Sequence, residues 1–192
     1  MSVARLIIAA NGSVPRNKFK PNNCHEAVLG WVLQAKYPQL CNVDRLSHGV
    51  EKAWHTLRAI VERYGVGVGA FKQLTGNWVA RNIYQPAARR VREPFSHATF
   101  FLGDIAFFGN RNSPHHSMVV VQKNGIQALA RGFNNAGGFG GPYMSWDPTL
   151  RDLTDPARWD GRDEIMCNNG RCELWMISYD LVCRQIPDNM TW

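Results

Sequence analysis

Gly103-Asp104-Ile105-Ala106-Phe107-Phe108, followed after a short loop by His116-Ser117-Met118-Val119-Val120-Val121-Gln122 and then Lys123-Asn124-Gly125, is the stretch that sets the fold. Apolar and β-branched runs of this length, bounded by turn residues, predict strands. The Asn-Gly pair leading into Ile126 to Ala130 predicts a hairpin, because a tight turn needs positive φ and glycine adopts it without a Cβ clash.

Upstream the pattern is helical. Asn23 with Glu26 three positions on forms a capping-box signature, and Ala27, Val28, Trp31, Val32 and Ala35 recur at helical spacing until Tyr37-Pro38. Residues 1 to 22, in which Leu6 to Ala10 is the best apolar run, read as a loop-rich lead-in. A second helix is expected over about Asp44 to Tyr64, with Trp54, Leu57, Ile60 and Val61 on one stripe and Gly65 as its stop. Gly65-Val66-Gly67-Val68-Gly69 has neither the preceding strand nor the lysine-serine of a phosphate-binding loop, so it reads as a joint. A third helical stretch, roughly Ala70 to Val91, carries Arg81, Arg89, Arg90 and Arg92 toward its end. Beyond the central hairpin, residues 132 to 148 read as a long loop. A final hairpin is expected from Ile165 to Arg184, with Glu173 to Tyr179 as its long strand. Helices first and antiparallel strands second predict one α+β domain over residues 1–192, helical over about 23–92 and sheet over about 99–184.

Composition bounds the rest. With 192 residues, 45% hydrophobic and 19% charged, the chain has room for one core and too many aromatics for a disordered basic tail. No run approaches the roughly 20 apolar residues of a membrane span, and Leu6 to Ala10 is shorter than a signal h-region of about 7–15 residues. The expectation is a soluble protein that, if exported, leaves without a conventional signal peptide. Five cysteines, Cys24, Cys41, Cys167, Cys172 and Cys183, show no zinc-finger spacing, and an odd number leaves at least one thiol unbridged. Cys167 and Cys172 flank a turn sequence and are candidates for a bridge in an oxidising compartment.

Cys24 stands where a thiol gains reactivity. The first turn of a helix has unsatisfied N–H groups and a positive dipole end, which favour thiolate. A nucleophilic cysteine also needs an imidazole held by a second rigid element, and His116 opens the apolar part of the central strand. Asn23-Cys24-His25-Glu26-Ala27-Val28, then the Gly103-Asp104 strand, then His116-Ser117-Met118-Val119-Val120-Val121 together resemble the core of the NlpC-type, papain-like cysteine peptidases and amidases. The resemblance covers mainly residues 22 to 36 and 100 to 135. It implies a papain-like core with Cys24 as nucleophile and His116 as base. His115 is a second candidate base. The separation of 92 positions between Cys24 and His116 exceeds that of compact members, so the intervening helices would be an inserted segment.

The residue that orients the imidazole has no clean match in Ile126 to Ala130; Asn134 and Asn135, just beyond, are the candidates. Asp104 is expected to cap or turn its strand. The resemblance further implies an amide-cleaving cysteine hydrolase with no cofactor and no metal, acting on a peptidoglycan peptide as an antibacterial effector. It would work in a target-cell periplasm, with an immunity protein as a candidate partner. Deamidation or proteolysis of a host-cell protein is the close alternative. The formal net charge of +7 fits an anionic wall. A different class, a non-enzymatic basic module binding nucleic acid or acidic surfaces through Arg81, Arg89, Arg90 and Arg92, is disfavoured because no nucleic-acid fold signature accompanies the charge.

Overall fold

The computed structural model describes residues 2–11, 24–38, 88–92, 95–110, 113–132, 150–155 and 174–186. In chain order the elements are α1 (Val3–Asn11), α2 (Cys24–Lys36), β1 (Arg89–Val91), a 3-10 turn at His97–Thr99, β2 (Ile105–Asn110), β3 (Ser113–Asn124), β4 (Gln127–Gly132), β5 (Leu150–Asp152), β6 (Leu174–Ile177) and α3 (Tyr179–Gln185). The strands form one antiparallel sheet in the order β1-β6-β2-β3-β4-β5, so the fold is α+β as expected. Asn124 pairs with Gln127, which places the hairpin turn at Gly125-Ile126, one residue beyond the expected position, with Gly125 at φ +52°.

The apolar runs of β2 and β3 do not alternate with polar residues because both faces of the sheet are covered. On one face, Ile105, Phe107, Val119, Val121 and Ile177 pack with Leu6, Ala9 and Ala10 of α1, Val28, Trp31 and Val32 of α2, and Tyr179, Val182 and Cys183 of α3. On the other, Ala106, Met118, Val120, Ala128, Ala130, Leu174 and Met176 pack with Val91, Phe95, Phe100 and Leu153. Phe107 stacks on Trp175 across the β2–β6 pair, with ring centroids 6.5 Å apart. Trp31, Val32 and Leu33 are consecutive and all buried, so α2 is enclosed on several sides instead of presenting one stripe. Its last residue, Lys36, donates from Nζ to the Cys183 and Ile186 carbonyls at 2.8 and 2.6 Å, tying α2 to the carbonyl-rich end of α3.

Three expectations are corrected. The lead-in contains a helix, α1, because Leu6, Ala9 and Ala10 recur at helical spacing and bury against α2 and the sheet. The end of the expected third helix, Arg89–Val91, is instead an edge strand paired with β6, and Val91 is its buried residue. The long strand of the expected final hairpin is shorter than drawn, because it stops at Ile177 and Ser178 caps a helix, its hydroxyl accepting from the Leu181 N–H; the hairpin's first arm, from Ile165, lies outside the described residues. The expected helix over 44–64, the joint at 65–69, the loop over 132–148 beyond Gly132, and Cys41, Cys167 and Cys172 lie outside the described residues.

Gly103 is the tightest point between α1 and the sheet. It has φ +81°, its N–H donates to the Val120 carbonyl at 2.8 Å, and a Cβ there would lie 2.6 Å from Val3 Cγ1. Positive φ and overpacking both penalise a side chain at this position. We expect Gly103→Ala to lower unfolding free energy by about 2–4 kcal/mol in urea titration, and Val3→Ala in the same chain to recover part of it by relieving the steric share.

Candidate functional site

Cys24 is the first residue of α2 and is 9% exposed; it forms no disulfide. Its position at the head of a 13-residue helix puts it at the positive dipole end anticipated from the capping signature. Asn22 and Asn23 lie outside the described residues. His116 lies in β3, 7% exposed and paired with Phe108 of β2. The next pair along, Gly109 with Pro114, is out of register with it, so His115 falls at an irregularity in the ladder. The side chain of His115, and all of Asn134 and Asn135, lie outside the described ones.

α2 packs against β3, so the elements that carry Cys24 and His116 are neighbours. The side chains are distributed differently. Residues Val119 and Val121 of β3 face α1 and α2, and Ser117, buried opposite Phe107, shares their side by alternation. His116 shares the side of Met118 and Val120. A Cβ on Gly132 would stand 2.9 Å from both His116 Nε2 and Met118 Cγ, which places the imidazole over the backbone of β4. The structure therefore brings the two elements together but turns the His116 ring toward the second core, away from the face on which α2 lies. Gly132 is the residue that leaves room for that ring.

Asp104 does cap its turn. Its Oδ2 accepts from the Phe101 N–H at 3.1 Å and from Arg89 Nη2 at 3.2 Å, and Arg89 also donates to the Thr99 carbonyl. The Arg89–Asp104 pair joins the edge strand β1 to the start of β2. The sequence reading assigned Arg89 to a solvated helix end and so missed the contact. It also missed Phe101, which is 60% exposed with Arg89 and Lys123 each 5.9 Å from its ring centroid. No grouping of three His, Cys, Asp or Glu side chains suited to a metal occurs among the described residues. Among the same residues no helix is long and apolar enough to cross a membrane.

No protein-family model, curated protein or solved structure matches the chain.

Burial, the largest influence on Asp104, pushes its carboxyl above the ordinary 3.8, while the Phe101 N–H and the Arg89 charge pull the other way. A carboxyl that holds its proton more tightly in the folded chain adds stability that is fully present below the unfolded pKa and is lost as pH rises through the folded one. Asp104→Asn removes this dependence. Relative to the unsubstituted chain, the variant should gain stability as pH rises above the ordinary 3.8 of the unfolded carboxyl, read as a rising difference in urea midpoints.

Proposed function

We propose that the protein is a cysteine hydrolase that cleaves an amide bond, with an NlpC-type, papain-like arrangement of its core. The observation that carries this reading is the buried, reduced Cys24 at the head of α2, docked against β3, the strand that carries His115 and His116. The order of elements supports it: a cysteine-bearing helix, a strand entered through Gly103-Asp104, a histidine-bearing strand and a tight hairpin into the next strand.

The chemistry follows from those groups. The Cys24 thiolate attacks the amide carbon while first-turn N–H groups, including its own, stabilise the oxyanion. The imidazolium gives its proton to the departing amine, leaving an acyl-enzyme. The neutral imidazole then takes a proton from water as that water attacks the thioester, and the thiolate departs. Asn134, two residues past Gly132 in the chain, is assigned the task of accepting from the far ring nitrogen. Alternation along β3 bears on which histidine acts, since a base for Cys24 has to be reached from the α2 side. The proposal assigns the proton transfer to the His115-His116 pair, and variants separate the two. The substrate class is a peptidoglycan peptide, and the role is that of an antibacterial effector, to which the +7 charge adds attraction toward an anionic wall.

Directed to the periplasm of a Gram-negative host, the chain should lyse cells and release peptidoglycan fragments with a newly freed amine or carboxyl, identified by mass spectrometry. Cys24→Ala should reduce fragment release by about 10³-fold or more. Substitution of the acting histidine should reduce it by about 10²–10⁴-fold and raise the pH at which Cys24 is alkylated by iodoacetamide. Release unaffected by Cys24→Ala, or Cys24 alkylation with the pH dependence of an ordinary thiol in every variant, would contradict the reading.

A further inference from the structure

A single exposed apolar residue needs no explanation. Phe101 differs in how it is held. Its N–H donates to Asp104 Oδ2 and its carbonyl accepts from the Asp104 N–H, both at 3.1 Å, so the backbone beneath the exposed ring is fixed from both sides. The Arg89 guanidinium and the Lys123 ammonium each lie 5.9 Å from its ring centroid. Arg89 is itself locked in place by Asp104 and the Thr99 carbonyl.

A rigid, exposed aromatic ring with cations close to it is what single-stranded nucleic acid binds: bases stack on the ring in any sequence and the phosphates between them meet the charges. We propose that Phe101, Arg89 and Lys123 form a stacking platform for single-stranded nucleic acid. One base lies on Phe101. Lys123, on a flexible stem, moves from the ring to a phosphate, while Arg89, held by Asp104, keeps a charge beside the ring. An anionic bilayer suits the site less well. Arg89 and Lys123 stand within cation–π distance of the ring, so sinking Phe101 into an acyl layer would draw two charges in with it. The formal charge of +7 supplies the long-range attraction. The platform uses none of the residues assigned to hydrolysis, so the two proposals stand or fall separately.

Fluorescence anisotropy of the full chain with labelled oligo(dT) and oligo(U) of about 15 nucleotides tests this; about 4–16 nucleotides fill a typical single-strand site. Binding of either strand at about 50 mM salt should weaken about ten- to a hundredfold in Phe101→Ala and persist in Phe101→Trp. Lys123→Gln should flatten the dependence of log affinity on log salt by about 0.7, the share of one phosphate contact on a single strand. Circular dichroism of each variant confirms that its fold is retained, and the lysine variant gives an independent reading if Phe101→Ala alters the fold. The proposal is overturned if neither oligonucleotide binds, if Phe101→Ala and Lys123→Gln bind as the unsubstituted chain does, or if the chain is retained by phosphatidylserine vesicles and by neither strand.

Discussion

β3 is buried on both of its faces, and the rest of the structure is arranged around that constraint. Val119 and Val121 require a cover on one side, Met118 and Val120 on the other, and each such side chain is worth about 1.5–3 kcal/mol when fully removed from water. α1, α2 and α3 supply one cover. Phe95, Phe100, Val91 and Leu153 belong to the other. A slip of one residue in the β3 pairing would exchange the two sets. The register is held by the Gly125 turn at one end and by the bond pair between Val120 and the Gly103-Asp104 turn in the middle. Gly103 couples this register to α1, since only a residue without a Cβ fits against Val3 at that φ.

Much of this was legible where the signal is local. The capping pattern before Cys24 and the apolar spacing to Ala35 give α2 almost to the residue, and the Asn-Gly pair gives the central hairpin with a one-residue shift in its turn. The α+β class follows from the change of period between the two halves. α1 was hidden because Leu6 to Ala10 was weighed by length against export signals, when its spacing was the informative property. α3 was hidden because its cap, Ser178, stands at the end of a run of strand-forming residues, and the run dominated the reading. β1 was hidden because three residues rich in arginine declare themselves a strand only by pairing with β6.

The candidate site divides along the same line. Cys24 is legible because a helix N-terminus is a local property. The orientation of His116 is not, because a run such as Met118-Val119-Val120-Val121, apolar at every position, carries no alternation from which to tell one face from the other. Only the packing of α2 on Val119 and the proximity of Gly132 to the imidazole assign the faces. The grouping of Arg89, Phe101 and Lys123 was beyond a reading of the chain for a different reason: it joins an edge strand, a turn and the far end of β3 through tertiary contacts.

The assignment of faces along β3 is the claim on which both the fold and the choice of catalytic base depend, and nuclear Overhauser contacts from the His116 ring test it most directly. The structure predicts contacts from the ring protons to the Gly132 α-protons and the Met118 side chain. Contacts to the Cys24 β-protons and the Val119 methyls, with none to Gly132, would contradict it and would place the imidazole on the side of α2.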